Sequence, residues 1–195
     1  MTEIAASVEP DDLLGMMRRR RVTRQFTGAP VPDDLLQQIV EAGRWATSGG
    51  MRYPHRFLIV RDPKKIGLVR TASPGMLNEP PALIVIMIET DQSEEDSMRV
   101  EPWSVHWVDV GTAAMSMTTM AQALGLGSCP VTSFSKSGVA TMLDLPPSLS
   151  PEFILILGHP ADVKRVKNPN APKSITTRDL IYWERAGNHD PEPVR

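Results

Sequence analysis

Five arginines, Arg18, Arg19, Arg20, Arg21 and Arg24, fall within seven positions of the segment Arg18-Arg19-Arg20-Arg21-Val22-Thr23-Arg24-Gln25-Phe26. A guanidinium is always charged, and its planar fork matches a pair of phosphate oxygens. Such a cluster can hold a terminal phosphate dianion. It can equally be a solvated basic face at a helix end, where cations complement the helix dipole. The other reactive side chains offer less. Cys129 lies beside Pro130 with no base near it in sequence, which reads as a buried structural thiol. His55, His106, His159 and His189 lack the spacing of common metal sites. No Gly-x-Gly-x-x-Gly and no Walker loop occurs. If the chain is an enzyme, a cofactor carries the reaction.

The elements that must position these arginines follow from periodicity. Pro10-Asp11-Asp12 opens a helix with acids in its first turn, and Leu13, Leu14 and Met17 are its expected buried stripe. That helix ends in the arginine cluster. Gly28-Ala29-Pro30-Val31-Pro32 is a stiff connection. Asp33 or Asp34 is expected to cap a second helix, with Leu35, Leu36, Ile39, Val40, Gly43 and Ala46 on one face, ending at Gly49-Gly50. Phe57 to Val60 reads as a strand. Asp62-Pro63 reads as a capped helix start. Ala82 to Ile88 lacks alternation and reads as a central strand buried on both faces. From about Trp103 to Leu124 the pattern is helical and apolar or small nearly all round, which predicts burial on most sides and a subunit interface. Ser135 is expected to cap a short helix ending near Leu143. Pro146, Pro147 and Pro151 are expected to bracket a surface loop. Phe153 to Gly158 is a third strand, and Thr177 is expected to cap a last turn leading to Tyr182 and Trp183.

Composition sets limits. The 195 residues suit one domain spanning 1–195, with 1–9 and 186–195 as tails. The net charge of −2 makes the basic cluster local and argues against a general nucleic-acid binder. A single cysteine excludes an intrachain disulfide framework. With no signal-like start and no run long enough to span a bilayer, the expected location is the cytoplasm, away from membranes.

The order of these segments resembles the nitroreductase-like flavoproteins. That family carries Arg-Arg-Ser-x-Arg-x-Phe, then Val-Pro, then Ala-Pro-Ser-x-x-Asn-x-Gln-Pro-Trp-x-Phe. Arg20, Arg21, Arg24 and Phe26 match the first motif; Ala46, Ser48, Pro54 and Phe57 match the second. Gln122 to Ser128 resembles Ala-x-x-Leu-Gly-Leu-Gly, Ile156 to Pro160 resembles a strand ending in Gly-Tyr-Pro, and Leu180 to Glu184 resembles a closing His-Trp-Glu.

The resemblance implies an α+β fold: a three-layer α/β/α sandwich around a mixed, mainly antiparallel sheet, assembled as a homodimer with FMN between subunits. NAD(P)H is the implied reductant, and an electron-poor nitroaromatic or quinone the implied acceptor. By the same resemblance, Arg20 and Arg21 contact the phosphate, with Val22 in place of a serine. Arg24 lies near the N1/O2 edge of the ring. Thr47, Ser48, Gly49 and Met51 belong to the loop against the ribityl and pyrimidine side. Pro130, Val131, Thr132 and Ser133 present backbone N–H groups near flavin N5, and Lys173 completes the phosphate site. Met51, Tyr53 and His55 stand where the family has Asn, Gln and Trp, which implies a reshaped pocket with Tyr53 and His55 facing substrate. Three alternatives stay open: a deazaflavin in place of FMN, a specialised flavin chemistry (dehydrogenation of a biosynthetic intermediate, or flavin breakdown), and a protein that sequesters flavin without turnover.

Overall fold

A computed structural model describes residues 8–49, 53–89, 102–163 and 176–189. Two compact units divide at Asp162 and Val163. In chain order the first holds α1 (Pro10–Arg19), α2 (Asp33–Arg44), β1 (His55–Val60), α3 (Pro63–Thr71), β2 (Ala82–Glu89), α4 (Pro102–Ala123), β3 (Gly127–Val131), α5 (Lys136–Met142) and β4 (Leu149–Gly158).

The strands form one sheet in the order β1-β2-β4-β3, with every pair antiparallel. Among the described residues, a parallel bridge between Val22 and Ser128 adds mixed character at the β3 edge. Alternation along β2 sorts the core into two layers. Ala82, Ile84, Ile86 and Ile88 face α2 and α4 through Leu36, Ile39, Ala113 and Met117. Leu83, Val85 and Met87 face α3 and α5 through Ile66, Val69 and Val139. A strand between two helical layers has no polar face, which is why 82–88 shows no alternation in sequence. Gly43 sets the α2–α4 approach: a Cβ there would lie 2.8 Å from the Met117 sulfur.

Several sequence expectations shift by a residue or change meaning. Pro32 holds the position before α2, and Asp33 and Asp34 lie inside its first turn with no side-chain cap. Asp62 caps α3 as expected, accepting the Lys64 N–H at 2.9 Å. Ser135 caps α5 by accepting the Gly138 N–H at 3.1 Å. Pro151 is not in a loop; it lies within β4, where the ladder with β2 shifts register between Ile86 and Met87. A residue without an N–H is accommodated where the ladder is already interrupted.

Two helices are less buried than their patterns predict. No residue of α1 is buried: Leu13, Leu14 and Met17 are all exposed. The α4 helix buries Val110, Ala113, Ala114, Met117 and Ala121 but exposes Trp107, Val108 and Met115. In both cases the apolar residues outnumber those one chain can cover. No helix among the described residues is long and apolar enough to cross a membrane.

The second unit contains α6 (Thr177–Leu180). Its cap is Thr176, one residue earlier than expected; the Asp179 carboxylate accepts both the Thr176 N–H and hydroxyl at 2.7 Å. These bonds hold the Asp179 carboxyl below its ordinary range. Tyr182 and Trp183 are exposed, and the Tyr182 ring meets His189 at 4.8 Å.

Candidate functional site

The arginine segment begins as a helix end and continues as a strand-like edge. Arg20 caps α1, its N–H reaching the Met16 and Met17 carbonyls, and its backbone turns extended. Arg21 folds back, donating from Nη1 to the Arg18 carbonyl at 2.5 Å and the Arg20 carbonyl at 2.8 Å. One guanidinium nitrogen thus satisfies the exposed helix end, leaving Nε and Nη2 of Arg21 for other acceptors. The chain then attaches to the sheet: the Thr23 N–H donates to Ser128 at 2.9 Å, the Thr27 N–H to His159 at 3.0 Å, and the Ala161 N–H to Gln25 at 3.1 Å. Gly127 makes this approach possible, because a Cβ there would fall 2.6 Å from Thr23 Cγ2.

Arg24 sits close enough to the Cys129 thiol to oppose the upward push that burial gives it. Cys129 itself is buried, as its sequence context predicts. Among the described residues, none of Arg18, Arg19, Arg20, Arg21 and Arg24 has a carboxylate partner, whereas Arg44, Arg56, Arg61 and Arg70 are all ion-paired. Among the described residues, the positive charge of 18–24 is therefore concentrated and has no carboxylate beside it.

The loop after α2 is fixed by a residue that sequence reasoning missed. Asp109 lies on α4 and is 3% exposed. Its carboxylate accepts the Ser48 hydroxyl at 3.0 Å and the Gly49 N–H at 3.0 Å. Ser48 Oγ in turn accepts the Tyr53 N–H at 3.0 Å, and the Thr47 carbonyl accepts the Thr112 hydroxyl at 3.1 Å. The one available signal was a lone acid, Val108-Asp109-Val110, inside an otherwise apolar helix. A buried carboxylate demands partners, and these are the loop.

The loop after β3 is tied to the turn after α3. The Ser133 carbonyl accepts the Gly75 N–H at 3.0 Å, and the Ser135 N–H donates to Ala72 at 2.8 Å. Pro130 and Val131 belong to β3 itself, with Pro130 exposed and Val131 buried. Pro130 has no N–H to offer, so that part of the expectation is corrected. Thr132 and Ser133 are exposed, and among the described residues no backbone acceptor takes their N–H groups. Met51 and Lys173 lie outside the described residues.

Tyr53 and His55 open β1. Tyr53 has φ of 47° and is exposed, a backbone region that a bulky residue seldom adopts. His55 is 5% exposed, and its buried Nδ1 has no hydrogen-bond partner among the described residues. Burial holds its pKa below the ordinary value; Asp109 opposes the shift and Arg56 adds to it. The rings of Tyr53 and His55 meet edge-on at 6.2 Å, and His55 meets Phe57 at 5.1 Å. These residues line a cavity of about 490 Å³ with Val40, Arg44, Trp45 and Arg56.

The expected site residues thus fall into separate groups. Arg20 to Arg24 lie at the start of β3, and Thr132 and Ser133 follow its end. Thr47 to Gly49 rest on the middle of α4, while Tyr53 and His55 open β1. Since β3 and β1 are the two sheet edges, the last groups are about 14 Å apart from the β3 loop across three strand spacings. Along α4, Thr112 and Ala123 are separated by about 17 Å of helix rise.

A family model described as the nitroreductase family matches residues 17–74 and 68–159. An FMN reductase [NAD(P)H] of Bacillus subtilis is 25% identical over 188 residues, covering 88% of this chain and 75% of its own. An NADPH-flavin oxidoreductase of Vibrio harveyi is 28% identical over 173 residues, covering 84% and 72%. Among solved structures, a nitroreductase family protein of Clostridium difficile 630 superposes with a TM-score of 0.72 at 20% identity, covering 87% of this chain and 96% of that one. The Vibrio harveyi NADPH:FMN oxidoreductase complexed with NAD+ superposes with a TM-score of 0.67 at 24% identity, covering 87% and 81%. These likenesses carry the α+β sandwich fold.

Proposed function

The chain belongs to the nitroreductase family, and from that premise we propose that it is an FMN-dependent NAD(P)H:acceptor oxidoreductase. When bound, FMN would take a hydride from NAD(P)H at N5 and deliver it to an electron-poor small molecule of the nitroaromatic or quinone type. The observation that carries this reading is the run of guanidinium groups at 18–24 without a carboxylate partner among the described residues, whereas Arg44, Arg56, Arg61 and Arg70 are each ion-paired. An uncompensated cluster of this kind suits a phosphate dianion.

Arg20 and Arg21 would hold the phosphate, Arg21 through the Nε and Nη2 that its helix-capping bonds leave available. Beside them, Val22 lies on the β3 edge and brings no hydroxyl. Arg24 would stand against the electron-rich edge of the ring, where a fixed cation favours the reduced, anionic form. Thr132 and Ser133 have N–H groups to donate near the ring, with Pro130 and Val131 as the strand that sets their position. Lys173 remains a proposed further phosphate contact, and Met51 a proposed neighbour of the ring. Tyr53 and His55 are assigned to the substrate side. No side chain of this set is needed as a proton donor.

The spacing of these groups supports a homodimer with shared sites. Thr47, Ser48 and Gly49 cannot easily reach the same ligand as the β3-edge groups of their own chain, given the separations above. A second protomer can supply them. The exposed Leu13, Leu14 and Met17 on α1 and Trp107, Val108 and Met115 on α4 provide apolar surface to bury between protomers. In this arrangement Asp109 sets the Ser48–Gly49 loop that one protomer would present to the other.

The test is the visible absorption spectrum of purified protein before and after NADPH. The expected result is a flavin spectrum that bleaches on reduction. Replacing Arg20 and Arg21 together by alanine removes at least two charge-assisted contacts of about 1.5–3 kcal/mol each. FMN affinity should fall more than 100-fold, read by fluorescence titration of the released flavin. A double variant that purifies fully loaded would refute the phosphate assignment.

A further inference from the structure

We propose that Arg18 and Arg19 select NADPH over NADH by binding the ribose 2′-phosphate that NADPH alone carries. The inference deepens the proposed function by naming its reductant, and rests on that reading. Nucleotide binding can nonetheless be measured without turnover.

Three observations point to this pair. The first is a surplus of charge. A flavin phosphate is one dianion, and Arg20 and Arg21 suffice to match it. Arg24 is turned to another use, since its charge acts on the Cys129 thiol of β3. Arg18 and Arg19 are left over. Both are exposed, and neither guanidinium has a hydrogen-bond or carboxylate partner among the described residues.

The second is that the helix end does not need them. Cations in a last turn ordinarily serve its open carbonyls. Here the Arg20 N–H donates to the Met16 and Met17 carbonyls, and Arg21 Nη1 donates to those of Arg18 and Arg20. Gly15 lies one turn before the pair, three residues from Arg18 and four from Arg19, on the surface that helical side chains at those spacings lean over. A Cβ there would fall 3.1 Å from Arg19 Nη1. The glycine leaves bare helix backbone beside the two arginines instead of a side chain that would crowd an incoming anion.

The third is the field of the whole chain. Its net charge is −2 with five arginines at 18–24, so the remaining residues together carry −7. A polyanion is repelled by most of the molecule and drawn to the end of α1. Two nicotinamide dinucleotides that differ only at the ribose 2′ position differ there by a dianion, and a guanidinium is a fitting partner for that phosphate. Arg44, Arg56, Arg61 and Arg70 compete poorly for it, because each already holds a carboxylate.

The experiment compares NADP+ with NAD+ by titration calorimetry on the full-length protein, with flavin content recorded for each sample. NADP+ should bind about tenfold tighter or more, the worth of one charge-assisted contact. Raising the salt about tenfold should shrink that preference severalfold, because both arginines are exposed. Replacing Arg18 and Arg19 together by alanine, at positions where no packing is lost, should bring NADP+ down to the NAD+ level while NAD+ itself changes little. Equal binding of the two nucleotides, no binding of NADP+, a preference that survives the double variant, or a variant that loses both nucleotides equally overturns the proposal. Colourless protein whose NADP+ preference depends on the pair sinks the flavin reading and keeps this one. Flavin-loaded protein that binds both nucleotides equally does the reverse.

Discussion

Two segments flank the proposed chemistry, and they are held to the body of the molecule in opposite ways. Residues 22–27 ride on the sheet edge through main-chain bonds to Ser128 and His159. Residues 47–49 are held to α4 by side chains, the buried carboxylate of Asp109 and the hydroxyl of Thr112. The difference has consequences for chemistry. Backbone anchoring leaves the side chains of the first segment unspent, so Arg24 stays available for a ligand. Side-chain anchoring spends the second segment's own polar groups, since the Ser48 hydroxyl both donates to Asp109 and accepts from Tyr53. Asp109 carries two of the three bonds that hold this segment to α4.

The largest expected effect comes from removing that residue. Asp109→Ala strands the Ser48 hydroxyl and the Gly49 N–H, at about 1–3 kcal/mol for each group left unpaired. A loss of about 3 kcal/mol should lower Tm by about 6–12 °C for a chain of this size, as measured by calorimetry. A variant that melts within a degree of the parent would show that the loop does not depend on the carboxylate.

Gly127→Ala tests the other anchor. Its Cβ would meet Thr23 at 2.6 Å, so the segment must lift from β3, at a cost of about 1–3 kcal/mol. The expected signature is faster hydrogen exchange of the Thr23 amide together with weaker FMN binding. If flavin affinity is unchanged while Thr23 exchanges faster, the arginines do not need the sheet edge to hold their ligand.

The smallest effect is a pH dependence at His55. Its folded pKa is depressed, by burial first and by Arg56 in addition, against the opposing charge of Asp109. The unfolded chain therefore takes up the proton first as pH falls through its ordinary value of about 6.5. Stability contributed by the neutral ring is fully present above that value and declines below it. Denaturant melts from pH 8 to pH 5 should show this decline, and His55→Phe should flatten it. An unchanged slope in the variant would assign the decline to other groups.

Much of this architecture was legible in the residue order. The unalternating 82–88 run, the Asp62-Pro63 start and the Ser135 cap each rest on short-range rules, and each appears as expected. Gly127 lies in a recognisable glycine segment, but its closeness to Thr23 joins positions more than a hundred residues apart. Pro151 looked like a loop residue because a proline in a strand needs a bulge, and a bulge depends on the partner strand. The exposed stripe of α1 was read as buried because periodicity reveals that a face is apolar without revealing what covers it. Asp109 escaped notice for a related reason: one acid in an apolar helix carries no periodic signal, and its partners lie about sixty residues upstream.

The sequence by itself determined the local elements and the unusual density of arginines at 18–24, while the sandwich followed only from the resemblance to the nitroreductase-like flavoproteins. Those depend on periodicity, backbone preferences and charge, all properties of neighbouring residues. Tertiary structure decided which charges are compensated and which are not. Arg44 and Arg56 are as charged as Arg20 and Arg24 in the linear chain. Glu41 lies one helix turn from Arg44 and is local, whereas only folding brings Glu89 beside Arg56 and leaves Arg20 and Arg24 without carboxylates among the described residues. An ion pair acts through separation in space, and Arg56 meets Glu89 across two hydrogen-bonded strands that sequence order holds far apart.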